Sequence, residues 1–380
     1  MVSANKINAN LGGAKLKTPR SSNLELYRIV CMLLIVAHHY VVNSGVATID
    51  GPMAGNPQSA SSLFLLLFGA WGKTGINCFL MITGYFMCTS QITTRKFLKL
   101  IGQIYLYSFI IFIFLFMGGY ETFSIPRMIK LIFPLWGFKN NFVSCFIGFW
   151  LTIPFLNILV QNMSKRQHEW LLSLMFGLFT ILGSVPTFSV GMEYIIWFGI
   201  IFLLASYIRL YPQPLFERQN VWGWMTVLSL IMSVVSILLM QKWFGGKGIK
   251  TIYFFVSDSN KIFAVLIAFC SFLWFKNMDI KYSKTINAFG AATFGVLLIH
   301  ANSNAMRQWL WKDTVDVIGH YQALSTGGLI LYSIGVVLAI FIICNLIDQL
   351  RIATLEKWFF RWYDNKLSAK ADALIARIKQ

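Results

Sequence analysis

Arg28 and His39 lie in one apolar stretch, residues 24–40, with ten residues between them. On a helix, eleven steps of about 100° return His39 to the face of Arg28, roughly three turns and 16 Å along the axis. Arginine stays charged and needs anionic or polar partners. A neutral imidazole near pH 7 can take a proton or carry an acyl group. Ionisable residues inside a membrane segment are costly and mark functional sites by default. Two on one face therefore predict a polar track across the bilayer. Glu25, three residues before Arg28, can pair with it. Taken singly, Arg28 reads as an arginine snorkelling to lipid headgroups and His39 as a helix-packing histidine. Together they favour function.

Other candidates are weaker. His38 points about 100° away from His39, so the two cannot face one site well. Lys73, in Trp71-Gly72-Lys73-Thr74, falls near the depth of His39 in the second apolar segment, where snorkelling is the plain alternative. Arg95, Lys96 and Lys99 open the third segment and Gln103 follows Lys99 at i+4. They read as a positive-inside cluster or as a cradle for a phosphate-rich ligand. His300 closes Thr293-Phe294-Gly295-Val296-Leu297-Leu298-Ile299-His300, where an interfacial histidine is the plain reading. No HExxH or similar pattern suggests a metal. No carboxylate pair suits glycoside hydrolysis, and the Gly245-Gly246-Lys247-Gly248 run lacks phosphate-loop spacing.

The elements that must position these residues are helices in a membrane. The 380 residues are 57% hydrophobic and only 12% charged, against roughly a quarter charged in a soluble domain. Long charge-free runs such as 29–49, 74–94, 140–164 and 219–241 are each long enough to cross a hydrocarbon layer of about 30 Å. The expected fold is all-α and polytopic, with about ten transmembrane helices near 24–43, 62–88, 97–118, 141–161, 170–186, 193–211, 221–241, 260–275, 288–306 and 326–348. Both termini are expected in the cytoplasm, because about two thirds of the basic residues then fall on the inner side. The net charge of +18 thus reports topology and contact with anionic lipid, not nucleic-acid binding. Residues 1–22 read as a disordered N-terminus, 23–350 as the membrane domain, and 351–380 as an amphipathic tail on the inner leaflet. The six scattered cysteines read as small buried hydrophobes.

Four motifs in order, the Arg28–His39 pattern, Gly75-Ile76-Asn77-Cys78-Phe79-Leu80-Met81-Ile82-Thr83-Gly84-Tyr85, Phe149-Trp150-Leu151-Thr152-Ile153-Pro154-Phe155-Leu156-Asn157 and the run from Thr293 to His300, resemble those of the acyltransferase-3 membrane proteins. These include O-acetyltransferases of bacterial cell-surface polysaccharides. The resemblance implies a multi-pass enzyme of the bacterial cytoplasmic membrane that takes acetyl-CoA from the cytoplasm and acetylates a glycan hydroxyl outside or at the outer leaflet. It implies essential roles for Arg28 and His39, with His39 either general base or transient acyl carrier. Arg95, Lys99 and Gln103 are expected to bind the donor, and Glu25, Lys73 and His300 to support the site. Where the family often carries two arginines at the start of the third span, this chain has Lys99 and Gln103. The expected partners are acyl-CoA, an envelope glycan and the bilayer, with no metal and no nucleic acid. The rival reading is a transporter or flippase for a lipid-linked sugar or another solute, which would also bury polar groups among many spans.

Overall fold

A computed structural model describes residues 21–133, 141–188 and 190–367. Most of the segment expected to be disordered at the N-terminus and the last part of the expected amphipathic tail lie outside these residues. The described residues are helical and contain no strand. In chain order the helices are α1 (Ser22–Val42), α2 (Pro52–Gly55), α3 (Ala60–Phe68), α4 (Gly72–Met87), α5 (Thr94–Met117), α6 (Ile125–Ile132), α7 (Phe142–Asn162), α8 (Lys165–Phe176) and α9 (Tyr194–Leu210). There follow α10 (Gln219–Phe244), α11 (Ile249–Ile252), α12 (Ile262–Lys276), α13 (Lys284–Ala291), α14 (Thr293–His300), α15 (Asn304–Arg307), α16 (Val317–Ala323), α17 (Thr326–Arg351) and α18 (Lys357–Lys366).

Inside lipid every backbone N–H and C=O must be satisfied within the chain, so apolar runs of this length fold as helices. Among the described residues six helical segments are long and apolar enough to cross a membrane: Ser22–Val42, Ala60–Met87, Thr94–Met117, Phe142–Asn162, Gln219–Phe244 and Thr326–Lys366. Tyr194–Leu210 and Ile262–Lys276 are shorter apolar helices. The protein is therefore a multi-pass membrane protein. Large apolar side chains on α5, α10 and α17, among them Phe109, Phe114, Trp224, Ile231, Leu331 and Ile343, face outward, as expected where the surrounding solvent is lipid.

α1 is the centre of the bundle. It packs against α3, α4, α12, α13, α14 and α17. Two apolar clusters meet on it: one takes Tyr27 and Cys31, the other Met32, Ile35, Val36 and Tyr40. α4 lies so close to α1 that a Cβ on Gly75 would come within 2.9 Å of the Cys31 carbonyl oxygen, and one on Gly72 would collide with the His38 ring. Small residues at such a seam let two backbones approach where no hydrophobic force draws helices together. The second apolar segment is not one straight helix. It breaks over residues 69–71, between α3 and α4, because the Gly69 carbonyl accepts a hydrogen bond from His38 Nδ1 at 2.6 Å and Gly72 fits beneath the same ring. The ninth segment also breaks, at Ala292 between α13 and α14.

Asn77, fully buried on α4, ties three elements together. Its Nδ2 donates to the carbonyls of Ser259 (2.7 Å) and Ala264 (3.3 Å), and its Oδ1 accepts from Trp197 Nε1 on α9 at 2.9 Å. Interhelical hydrogen bonds in membranes contribute about 0.6–1.7 kcal/mol each. Asn77→Leu keeps the volume but strands the indole N–H. It is expected to destabilise the protein by about 1–3 kcal/mol, seen as a lowered thermal midpoint in detergent, whereas an unchanged midpoint would show that these bonds hold nothing.

Candidate functional site

His39 sits in the last turn of α1, and His300 is the last residue of α14. His39 Nδ1 and His300 Nε2 are 3.0 Å apart. His300 is fully buried, and its Nδ1 lies 2.6 Å from the Val296 carbonyl oxygen one turn back. The geometry assigns the protons. A carbonyl only accepts, so His300 Nδ1 carries hydrogen and donates. In neutral His300 the Nε2 is then a bare acceptor, and His39 Nδ1 must donate to it. Neutral His39 is left with its lone pair on Nε2, to which no described residue hydrogen-bonds. This is a relay from a backbone carbonyl through one imidazole to a second, and it makes His39 Nε2 the basic atom. A protonated His39 keeps the same bond, so the relay also supports the cation.

The other sequence candidates separate into two groups. Lys73 belongs with the histidines: it follows Gly72 at the start of α4, where Gly72 packs against the His38 ring next to His39. Its Nζ donates to Tyr194 Oη at 2.5 Å and lies 3.8 Å from Asp258. His38 turns away as its position on α1 predicts, toward the Gly69 carbonyl. Arg28 lies at the opposite end of α1, paired with Glu25 at 2.8 Å. Glu25 in turn packs against Gly290 of α13, close enough that a Cβ there would lie 2.7 Å from the Glu25 Cβ. Thus α1 and the α13–α14 segment run side by side in the same direction, Glu25 beside Gly290 at one end and His39 beside His300 at the other. Between Arg28 and His39, however, the same face of α1 carries Met32 and Ile35, both buried in apolar packing. A continuous polar track on α1 is therefore absent; tight contact with its neighbours fills the middle with apolar side chains.

Arg95, Lys99 and Gln103 come together on one face of α5, each engaged by an acid from the C-terminal helices. Arg95 pairs with Asp364 and lies over the Phe360 ring (4.5 Å to its centroid), Lys99 Nζ lies 2.5 Å from Glu356, and Gln103 Nε2 donates to Asp348 Oδ1 at 3.1 Å. Asp348 also accepts from Tyr107 Oη at 2.7 Å and from Arg351 Nε at 2.6 Å, while Arg351 reaches Glu356 at 2.7 Å. Gly295 of α14 leaves the room in which the Asp348 carboxylate sits. Sequence reasoning placed the cations here but missed the acids that bind them.

Sequence reasoning also missed Tyr194, Arg307, Trp311 and Asn43 around the histidines. Arg307 on α15 lies about one helical turn before Trp311. The Trp311 ring stands edge-on to His300, centroids 6.3 Å apart. Asn43 lies one turn beyond His39, so it follows His39 on the same face, and this spacing was the one available signal. Among the described residues no His, Cys, Asp or Glu group has the size of a metal site.

A family model described as an acyltransferase domain matches residues 21–347. Neither the curated proteins nor the solved structures contain a match to the chain.

Removing one partner of a buried ion pair costs about 3–5 kcal/mol, because it leaves the other charge uncompensated. Asp348→Ala and Asp348→Asn both leave Arg351 without that carboxylate and are expected to lower the thermal midpoint, Asp348→Asn less, because its amide oxygen still accepts from Tyr107 and Arg351. Scanning calorimetry of both variants in detergent checks the order; equal midpoints would mean that the hydrogen bonds retained by Asn contribute nothing.

Proposed function

The chain belongs to the acyltransferase-3 family, and from that premise we propose that it moves an acetyl group from cytoplasmic acetyl-CoA to a hydroxyl of a cell-surface polysaccharide or its lipid-linked precursor. Membership in a membrane acyltransferase family gives the reaction class. The observation that carries the assignment of the site is the hydrogen-bond relay that leaves the His39 Nε2 lone pair free.

The chemistry follows from that atom. The acceptor hydroxyl oxygen attacks the thioester carbonyl carbon while its proton passes to His39 Nε2, and the carbonyl electron pair moves onto oxygen. The oxyanion then collapses, the C–S bond breaks, and the departing thiolate takes the proton from His39. The products are an O-acetyl ester and free thiol. His300 positions His39 and shares the positive charge that develops on it, as an orienting partner does for a catalytic imidazole.

The wider arrangement is proposed on the same premise. Ten spans with both termini in the cytoplasm, in a bacterial cytoplasmic membrane, put Arg28 near the donor side and His39 near the acceptor side. The donor's phosphates suit the basic face of Arg95 and Lys99, with Gln103 beside them, and on arrival compete with Glu356 and Asp364 for it. Lys73 and Glu25 hold the two ends in place. The breaks at residues 69–71 and at Ala292 are of the kind that transporters use to build binding sites, and a flippase is the second reading; the family match favours acyl transfer.

His39→Ala in a chain that still inserts is expected to abolish O-acetylation of the envelope glycan, and His300→Ala to lower it about 10²–10⁴-fold by freeing the ring. Mass spectrometry of the glycan, with and without each variant, reads one acetyl per repeat unit. Acetylation retained by His39→Ala would overturn the assignment, and a glycan unchanged on deletion of the protein would favour transport. Acid quenching after incubation with radiolabelled acetyl-CoA alone separates base from carrier: direct transfer leaves no label on the protein, whereas a labelled histidine would make His39 a nucleophile.

A further inference from the structure

Acyl transfer places a negative charge on the former carbonyl oxygen, and an acyltransferase needs hydrogen-bond donors where that charge appears. Soluble enzymes commonly supply backbone N–H groups. On α1 beside His39 these are engaged in the helix, which the Asn43 N–H closes by donating to the His39 carbonyl at 3.0 Å. Side chains can supply donors in their place.

Three side-chain N–H groups around the histidines fit that need. Asn43 Nδ2, Arg307 Nε and Trp311 Nε1 are buried, and none has a hydrogen-bond partner among the described residues. Buried polar groups in proteins are nearly always paired, so three orphans about one pair of rings form a group that calls for a ligand. Each belongs to the same neighbourhood by separate contacts. Asn43 is one turn from His39, Trp311 stands against both His300 and Tyr40, and Arg307 lies about one helical turn before Trp311 on the same continuous helical segment. Trp311 is fully buried. The Arg307 guanidinium has one weak neutral bond, to Asn304 Oδ1 at 3.3 Å, and no described carboxylate pairs with it. Lys73 adds a second fixed cation, offset by the half-exposed Asp258.

The three orphan atoms are all donors. A sugar hydroxyl needs an acceptor as well as a donor, whereas a carbonyl oxygen becoming an oxyanion needs donors alone. We propose that Arg307 and Trp311, with Asn43, stabilise the oxyanion formed beside His39, Arg307 supplying the charge. This rests on the acyl-transfer reading of the site. It makes Arg307 a catalytic residue whose contribution grows as the tetrahedral intermediate forms, so its loss falls on turnover and not on donor affinity.

The test uses membranes containing the full-length chain, acetyl-CoA as donor, and the source cell's surface polysaccharide stripped of esters by alkali as acceptor. Arg307→Gln is expected to lower kcat by about 10²–10³-fold with the KM for acetyl-CoA nearly unchanged. Arg307→Lys, which keeps the charge, is expected to recover part of the loss, and Trp311→Phe to lower kcat about tenfold. Thermal midpoints in detergent show that each variant is folded. If Arg307→Gln does not fold, Trp311→Phe carries the test. Wild-type kcat in folded Arg307→Gln, or a loss confined to KM, would overturn the inference; the latter would make Arg307 a substrate anchor. A wild-type protein with no transferase activity would overturn the proposed function and this inference together, whereas an active wild type with a fully active Arg307→Gln overturns this inference alone.

Discussion

Lipid offers no hydrogen-bond partner, so every polar side chain in the bundle must find another inside it, and the contact between His39 and His300 is where this constraint becomes chemistry. In water either imidazole could exchange tautomers through solvent. Against the Val296 carbonyl, His300 has one choice, and His39 inherits it. Backbone geometry on α14 thus decides which nitrogen on α1 is basic. The same constraint explains why α4 lies against α1 through glycines and why Asn77 bonds to three partners at once.

The two ends of α1 meet different solutions to the cost of buried charge. At the Arg28 end, cations and carboxylates alternate: Arg28 with Glu25, Lys99 and Arg351 with Glu356, and Arg351 again with Asp348. Charge there is nearly balanced. At the His39 end, Lys73 pairs with the half-exposed Asp258, and Arg307 has no described carboxylate partner. That excess of positive charge is poorly suited to a structural core and well suited to a transition state that gains negative charge. The apolar packing at Met32 and Ile35 keeps the two ends apart.

Local spacing made part of this legible in the sequence. The Glu25–Arg28 pair follows from i,i+3 geometry, and the divergence of His38 from His39 follows from the angle between neighbouring residues. The apolar runs announced helices and a membrane. The rest depends on which helices become neighbours, and periodicity carries no information about that. His300 is 261 residues from His39, and Arg307 and Trp311 sit in irregular helical turns after α14 that hydropathy cannot place. The break at residues 69–71 was hidden because the apolar character continues across it. Its cause, a histidine bonded to a carbonyl of the neighbouring helix, exists only once the two helices meet.

α14 is eight residues long, so about 12 Å from end to end. Gly295 near its middle abuts the Asp348 carboxylate, and His300 at its end holds the His39 ring. A helix of two turns does not bend, and the break at Ala292 sets it off from α13. Both contacts therefore sit on one short rigid element. The carboxylate network and the imidazole are joined through α14, a structural link between the two halves of the molecule that does not run through α1.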